Sequence, residues 1–355
     1  MGGEGNVTTE TYLGTRNRWP YLALGMAAIA ATMLLAAAQG AVSIPAPLLA
    51  EMVLGRLPFV SFQATWPASY ETIVFEIRLP RILLGALVGA ALATAGATYQ
   101  GLFRNPLADP YLLGVASGAA LGAVLAMSLA LPTAVLGFGV VPLAAFAGAL
   151  GTVTLVYVIA RVGRTTPVTT LLLAGVALGS FLTSITYSLM LVASDRLHAT
   201  FTWLLGGLYL GNWGQVLAIS PYIVGGTAII WVCARALNVM QLDEEQARQL
   251  GLDVERLKLV LVAAASLVTA AAVSAGGLIG FVGLIVPHVV RLIWGPDHRF
   301  LLPMSALVGA AFLMLADTVA RTLFAPNELP VGIITAFCGA PFFVYLLRQK
   351  KRAVF

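Results

Sequence analysis

Arg78-Leu-Pro-Arg81 stands directly before a charge-free run from Ile82 to Phe103, and Gly101-Leu-Phe-Arg-Asn-Pro-Leu-Ala-Asp-Pro110 closes that run with a polar, proline-bracketed turn. The run is 22 residues long, and a helix needs about 20 apolar residues to cross the hydrocarbon core of a bilayer. This stretch therefore predicts one membrane-spanning helix that joins a basic face to a compact polar turn on the opposite side.

The rest of the chain agrees with that scale. Of its 355 residues, 59% are hydrophobic and 10% charged, against roughly 25% charged in an ordinary soluble domain. A chain this apolar cannot cover its greasy surface in water, so the sequence reads as an all-α polytopic membrane protein. Its net charge of +5 then reports the loop charges that orient membrane proteins, not affinity for nucleic acid. The two cysteines, Cys233 and Cys338, both lie in apolar segments and read as small packing residues. They indicate neither a disulfide framework nor a metal site.

Apolar runs bounded by charge, Pro or Gly predict ten spans, at about 20–40, 82–103, 111–131, 139–160, 168–193, 214–235, 257–275, 279–294, 300–322 and 329–347. Pro132 and Pro142 divide a charge-free region too long for one helix. Residues 200–214, with Trp203, Tyr209 and Trp213, are too short to span and read as an interfacial or re-entrant segment. Residues 1–19 read as a polar, disordered cytoplasmic tail, 20–348 as one transmembrane domain and 349–355 as a basic cytoplasmic tail. With both termini inside, fifteen of the 20 Lys and Arg residues fall on the inner side; Arg56, Arg78, Arg81, Arg196 and Arg321 fall outside. That asymmetry supports ten spans in a cell membrane with both termini cytoplasmic.

The outer exceptions carry two readings. Arg78 and Arg81 either pair locally with Glu71 or Glu76, or form a docking patch for an acidic partner. Asp317, the one carboxylate within the predicted apolar runs, precedes Arg321 by four residues, the spacing of a helical ion pair. It lies about 26 Å up its helix from Phe300, near the outer surface.

Between spans six and seven, Gln241-Leu-Asp-Glu-Glu-Gln-Ala-Arg-Gln-Leu-Gly251 predicts a short amphipathic helix. Asp243 reads as its N-cap, Glu244 as a first-turn acid, Arg248 as a last-turn base and Gly251 as the C-terminal stop. Leu242, Ala247 and Leu250 are expected on one face. The segment is either a solvated connector or a contact helix for a soluble partner. Lysine occurs only at 258, 350 and 351, none in a phosphate-loop pattern. Catalytic pairs, nucleophile motifs and metal-ligand spacings are likewise missing. His288 reads as a helix-end histidine bonded to backbone. Small-residue runs such as Ala86–Gly96, Gly114–Gly122 and Ala275–Gly283 suit close helix packing in lipid, and Gly276-Gly277 could hinge.

Several motifs, in order along residues 75–348, resemble one family. They are Arg78-Leu-Pro-Arg81, Asn105-Pro-Leu-Ala-Asp-Pro110, Leu171-Leu-Leu-Ala-Gly-Val-Ala-Leu-Gly179, Ala247-Arg-Gln-Leu-Gly251, Ile279-Gly-Phe-Val-Gly-Leu-Ile-Val-Pro-His-Val-Val-Arg291, Asp297-His-Arg299 and Glu328-Leu-Pro-Val-Gly332. Together they are similar to the FecCD-type permease subunits of binding-protein-dependent ABC importers for iron-siderophores, haem and cobalamin. The resemblance implies a type II importer fold of ten-helix subunits, paired as a homodimer or with a close paralogue. Two cytoplasmic ATPase subunits, using ATP and Mg, would dock on residues 241–251, through Asp243, Glu244, Ala247, Arg248, Leu250 and Gly251. An extracytoplasmic binding protein would deliver a metal chelate, an iron chelate first and cobalamin as the alternative. By motif, Arg78 and Arg81 match the outer arginines that meet the binding protein's acids, and Arg321 is a further candidate because it lies on the same face. Asn105, Leu107, Val168 and Thr169 match the cytoplasmic gate. No cofactor is expected on this chain itself. Two other classes compete. A stand-alone secondary transporter would need ionisable groups near mid-membrane, and a membrane enzyme would need a catalytic constellation.

Overall fold

The structure, a computed structural model, describes residues 19–40, 42–56, 66–129, 134–135, 138–192 and 196–352. Most of the tail at 1–19 and the last three residues lie outside these. Among the described residues, seven helices are long and apolar enough to cross a membrane, and three shorter ones are apolar. Together they match the ten predicted spans.

In chain order the spans are α1 (Trp19–Ala38), the continuous helix Ala68–Leu102, α5 (Val115–Ser128), α6 (Val140–Ala160), α7 (Val168–Val192), α9 (Trp213–Val232), α12 (Val254–Gly276), α13 (Val282–Trp294), α14 (His298–Thr322) and α15 (Val331–Arg352). The shorter pieces are α2 (Ala46–Leu54), α8 (Leu197–Leu204), α10 (Ala234–Val239) and α11 (Glu244–Gln249). A two-residue β pairing, Ala134–Val135 with Phe138–Gly139, precedes α6. α8 and the extended residues after it occupy the predicted re-entrant segment.

The deciding stretch differs from expectation at its start. The helix does not begin at Ile82; it runs back through α3 (Ala68–Glu71) and a π-helical turn at Thr72–Arg78 before α4 (Leu79–Leu102). Pro80 looks like a helix start because proline is favoured there. Here the π turn accommodates it: Leu79 N–H bonds to Val74 O, five residues back, and in that register the next acceptor, Phe75 O, faces a proline without an N–H. The Trp213 indole donates to Phe75 O instead, at 3.0 Å. Arg78 and Arg81 therefore lie inside a helix, not ahead of one.

α4 is the centre of the molecule. It is buried along most of its length and packs against α14, α12 and α13. Apolar burial gives no net drive between helices in lipid, so close backbone approach carries the packing. A Cβ added at Gly96 would fall on the Gly283 carbonyl, and one at Gly89 on the Gly309 carbonyl. α7 and α9, by contrast, leave large apolar side chains such as Leu173, Phe181, Leu217 and Val224 exposed, as surfaces facing lipid or a second subunit would.

Two spans are short. α5 begins only after a 3-10 turn at Pro110–Leu113 and a left-handed Gly114, φ 80°. α13 begins after a break at residues 277–281 in which Gly277 and Phe281 have φ of 67° and 70°. At the middle of the break, Ile279's peptide groups are satisfied from another segment, as an apolar surrounding demands. Tyr111 Oη donates to Ile279 O at 2.9 Å and accepts from Ile279 N–H at 3.1 Å.

Candidate functional site: two ionic clusters and a groove between them

At the outer end, Arg81 spans two acids. Its Nε and NH2 groups donate to both oxygens of Asp317, at 2.8–3.1 Å, and NH1 donates to Glu328 at 2.8 Å. Arg321 Nε lies 3.2 Å from Asp317 Oδ2, the predicted i,i+4 ion pair. Arg321 also donates to Ala36 O at 3.0 Å, and Arg78 donates to Ala37 O at 2.6 Å and to Val42 O. α1 has no basic residue in its own last turn. The two arginines from neighbouring helices supply cations to its C-terminal carbonyls, where the helix dipole favours positive charge. Arg81 and Arg321 thus meet the two carboxylates, and with Arg78 beside them the surplus positive charge faces the end of α1.

The local-pairing reading of Arg78 and Arg81 needs correction here. Arg81 pairs with Asp317 and Glu328, far along the chain, and Glu71 accepts from the Trp66 indole instead. A free basic rim is not what the fold presents: Arg78, Arg81 and Arg321 are 5%, 8% and 7% exposed. Side chains at helical spacing before an apolar run look like loop residues; the continued helix turns them inward.

Between the two ends, α5 and α7 face each other across an open groove of about 740 Å³. Ser117, Ser180, Thr183 and Tyr187 line it, beside Asp109, Tyr111 and Leu278. Asp109 Oδ1 accepts from Tyr111 N–H at 2.8 Å and so caps the 3-10 turn. Sequence reasoning did not assign Asp109 or Tyr111 to this lining. The polar turn containing them was visible, but not its return alongside Gly283 of α13, which contacts Pro110.

At the inner end the loop helix forms as expected. Asp243 is its N-cap, accepting from Glu244 N–H at 2.9 Å, and Gly251 follows with φ 85°. The shared apolar face does not form. Ala247 is fully buried, while Leu242 and Leu250 are 46% and 68% exposed. The helix spans only Glu244–Gln249, under two turns, so Leu242 and Leu250 fall beyond its ends. Arg104 donates to Leu242 O at 3.1 Å and lies 3.4 Å from Asp243. Arg248 lies 3.2 Å from Glu255 and 3.6 Å from Glu244.

The gate candidates divide. Val168 and Thr169 line a cavity of about 320 Å³ together with Arg104, Glu244, Arg248, Glu255 and Lys258. Asn105 and Leu107 belong to the adjoining turn, where Asn105 Oδ1 accepts from Leu107 N–H at 3.0 Å and Leu107 is 56% exposed. Nearby, Asp297 caps α14. Burial alone would raise its pKa, but hydrogen bonds from Arg299 and Asn238 outweigh that and bring it down to about 2. His288 packs edge-on against Phe342. Among the described residues, no group of three or more His, Cys, Asp or Glu side chains is placed to hold a metal ion. Cys338, expected to be a packing residue, is exposed.

A ten-span bundle with a lateral polar groove and a charged helix on its inner loop defines a multi-pass membrane permease. The chain belongs to the FecCD transport family, whose model matches residues 25–349. It is 49% identical over 285 residues to the cobalamin import system permease protein BtuC of Halobacterium salinarum, covering 80% of this chain and 76% of that one. It is 42% identical over 337 residues to the ABC transporter permease protein YvrB of Bacillus subtilis, covering 95% of each. A solved ABC transporter in an inward-facing conformation, assigned to the metal-chelate type, superposes with a TM-score of 0.80 at 31% identity, over 93% of this chain and 99% of that one.

Proposed function

We propose that this chain is the membrane-spanning half of an ABC importer that moves a metal chelate into the cytoplasm, with Mg-dependent ATP hydrolysis on separate ATPase subunits. The observation that carries the reading is the inner loop. A capped helix, flanked by the exposed Leu242 and Leu250, shares a cavity with Val168 and Thr169, the segment that resembles the family's gate. A soluble partner gripping that helix has a short path to the gate. The exposed apolar pair gives it purchase where a merely solvated connector would carry polar groups.

The open groove between α5 and α7 favours a pathway shared with a second permease copy, as homodimer or paralogue pair. Identity of 49% to a cobalamin permease supports cobalamin as cargo, with the iron chelate of the sequence reading as the second candidate. Competition between cobalamin and a ferric hydroxamate for uptake separates them. Docking of an extracytoplasmic binding protein on Arg78, Arg81 and Arg321 would require its carboxylates to enter beside Asp317 and Glu328.

Leu250→Glu tests the ATPase contact. The variant is expected to insert and fold normally but to lose co-purification with the ATPase subunit. Unchanged co-purification would contradict the assignment.

A further inference from the structure

Lys258 sits one turn into α12, at the inner end of the bundle, with its side chain 2% exposed. Sequence reasoning met it only as one of three lysines outside any phosphate loop. Its Nζ lies 2.9 Å from a Glu244 carboxylate oxygen, 3.3 Å from Glu255 Oε1 and 3.3 Å from Thr166 O. Glu244 opens the loop helix α11, Glu255 belongs to α12 itself, and Thr166 leads through Pro167 into Val168 and Thr169. An ammonium has three protons to donate, and here each has an acceptor on a different piece of the chain.

Thr166 is held from both sides. Its N–H donates to Glu255 Oε2 at 2.8 Å while its carbonyl accepts from Lys258, and the residue is 2% exposed. The remaining ionic contacts of α11 are looser. The Arg248 side chain is 49% exposed, and the Arg104–Asp243 pair is 42% and 61% exposed. Exposed pairs constrain little because water competes for both charges. A buried ammonium with all its donors engaged cannot release one partner without leaving a desolvated charge short of a bond.

We propose that Lys258 is the joint through which displacement of α11 reaches residues 165–169, a positioning residue of the transport cycle. Moving Glu244 draws on the ammonium, and the ammonium draws on Thr166. Its role in transport rests on the reading of α11 as the ATPase contact; the mechanical link does not, because every group in it belongs to this one chain.

Hydrogen–deuterium exchange on the full chain in lipid nanodiscs tests the link. Lys258→Met keeps the buried stem and removes the charge. It is expected to speed exchange of amides 244–249 and 165–170 together, about tenfold, equivalent to about 1.4 kcal/mol of local protection. Arg248→Ala is expected to speed 244–249 alone, and Lys258→Arg to keep both segments slow. Release of one segment only in Lys258→Met, or of neither, overturns the joint. Glu244→Gln, which keeps the lysine, gives a second variant should the first not fold: it weakens the tie between α11 and the ammonium and is expected to speed exchange of 165–170 as well, and full protection there overturns the link.

The transport role has its own readout in the complex with the ATPase subunits. Lys258→Met is expected to raise ATP hydrolysed per cargo molecule imported at least fivefold, and an unchanged ratio overturns that role. Absence of ATP-driven uptake by the unsubstituted complex would count against the importer reading and leave the exchange result standing.

Discussion

The two ends of this permease use the same chemistry for opposite ends. The outer cluster of Arg78, Arg81, Asp317, Arg321 and Glu328 ties α1, α4 and α14 together with guanidiniums that are less than a tenth exposed. The inner cluster of Arg104, Asp243, Glu244, Arg248, Glu255 and Lys258 hangs a six-residue helix from the bundle, mostly through pairs open to water. Burial decides what an ion pair does. Where water is excluded, losing one partner strands the other and the pair acts as a clamp. Where water reaches the charges, the pair exchanges freely and the element it holds can move. On the proposal above, the outer face stays put and the inner face shifts, with Lys258 as a buried link on that side.

The contrast can be broken at its strongest point first. Asp317→Ala removes the acid shared by Arg81 and Arg321 and is expected to cost about 3–5 kcal/mol, read as a fall in thermal unfolding midpoint of the purified protein. A loss under 1 kcal/mol would dissolve the distinction between the ends. Arg81→Lys keeps the charge but loses the planar fork that meets Asp317 and Glu328 together. It is expected to cost about 1–3 kcal/mol by the same measurement. Asn105→Ala removes one side-chain bond in the inner turn, worth about 0.5–1.5 kcal/mol; exchange of the Leu107 amide should report it without a global change. Arg248→Ala should cost the least, about 0.2–1 kcal/mol. Raising salt from about 0.05 to 0.5 M should erase that difference while leaving the Asp317 effect nearly intact, because screening acts on exposed pairs.

Much of this was legible in the sequence, and the misses share a cause. The ten spans follow from apolar run lengths, the loop helix from Asp243 and Gly251, and the Asp317–Arg321 pair from four-residue spacing. Each of these is a local signal. Arg81 bonds Asp317 at a separation of 236 residues and Glu328 at 247, so the sequence around Arg81 names neither. The sequence reading starts the helix after Arg81 because its continuation through Pro80 depends on a distant donor, Trp213, 138 residues beyond Phe75. Lys258 stands out in the sequence only as a lysine outside any phosphate loop, since Glu244 and Thr166 reach it only through the tertiary fold. Asp109 and Tyr111 were inside a quoted motif, yet their place in the groove depends on the turn folding back against the break before α13.

Uptake into proteoliposomes tests the central claim most directly. Vesicles holding this permease with its ATPase subunits, ATP enclosed and cobalamin-loaded binding protein outside, are expected to accumulate cobalamin only while ATP is present. Vesicles holding the permease alone should accumulate none. Accumulation by the permease alone, without ATPase or nucleotide, would contradict the account.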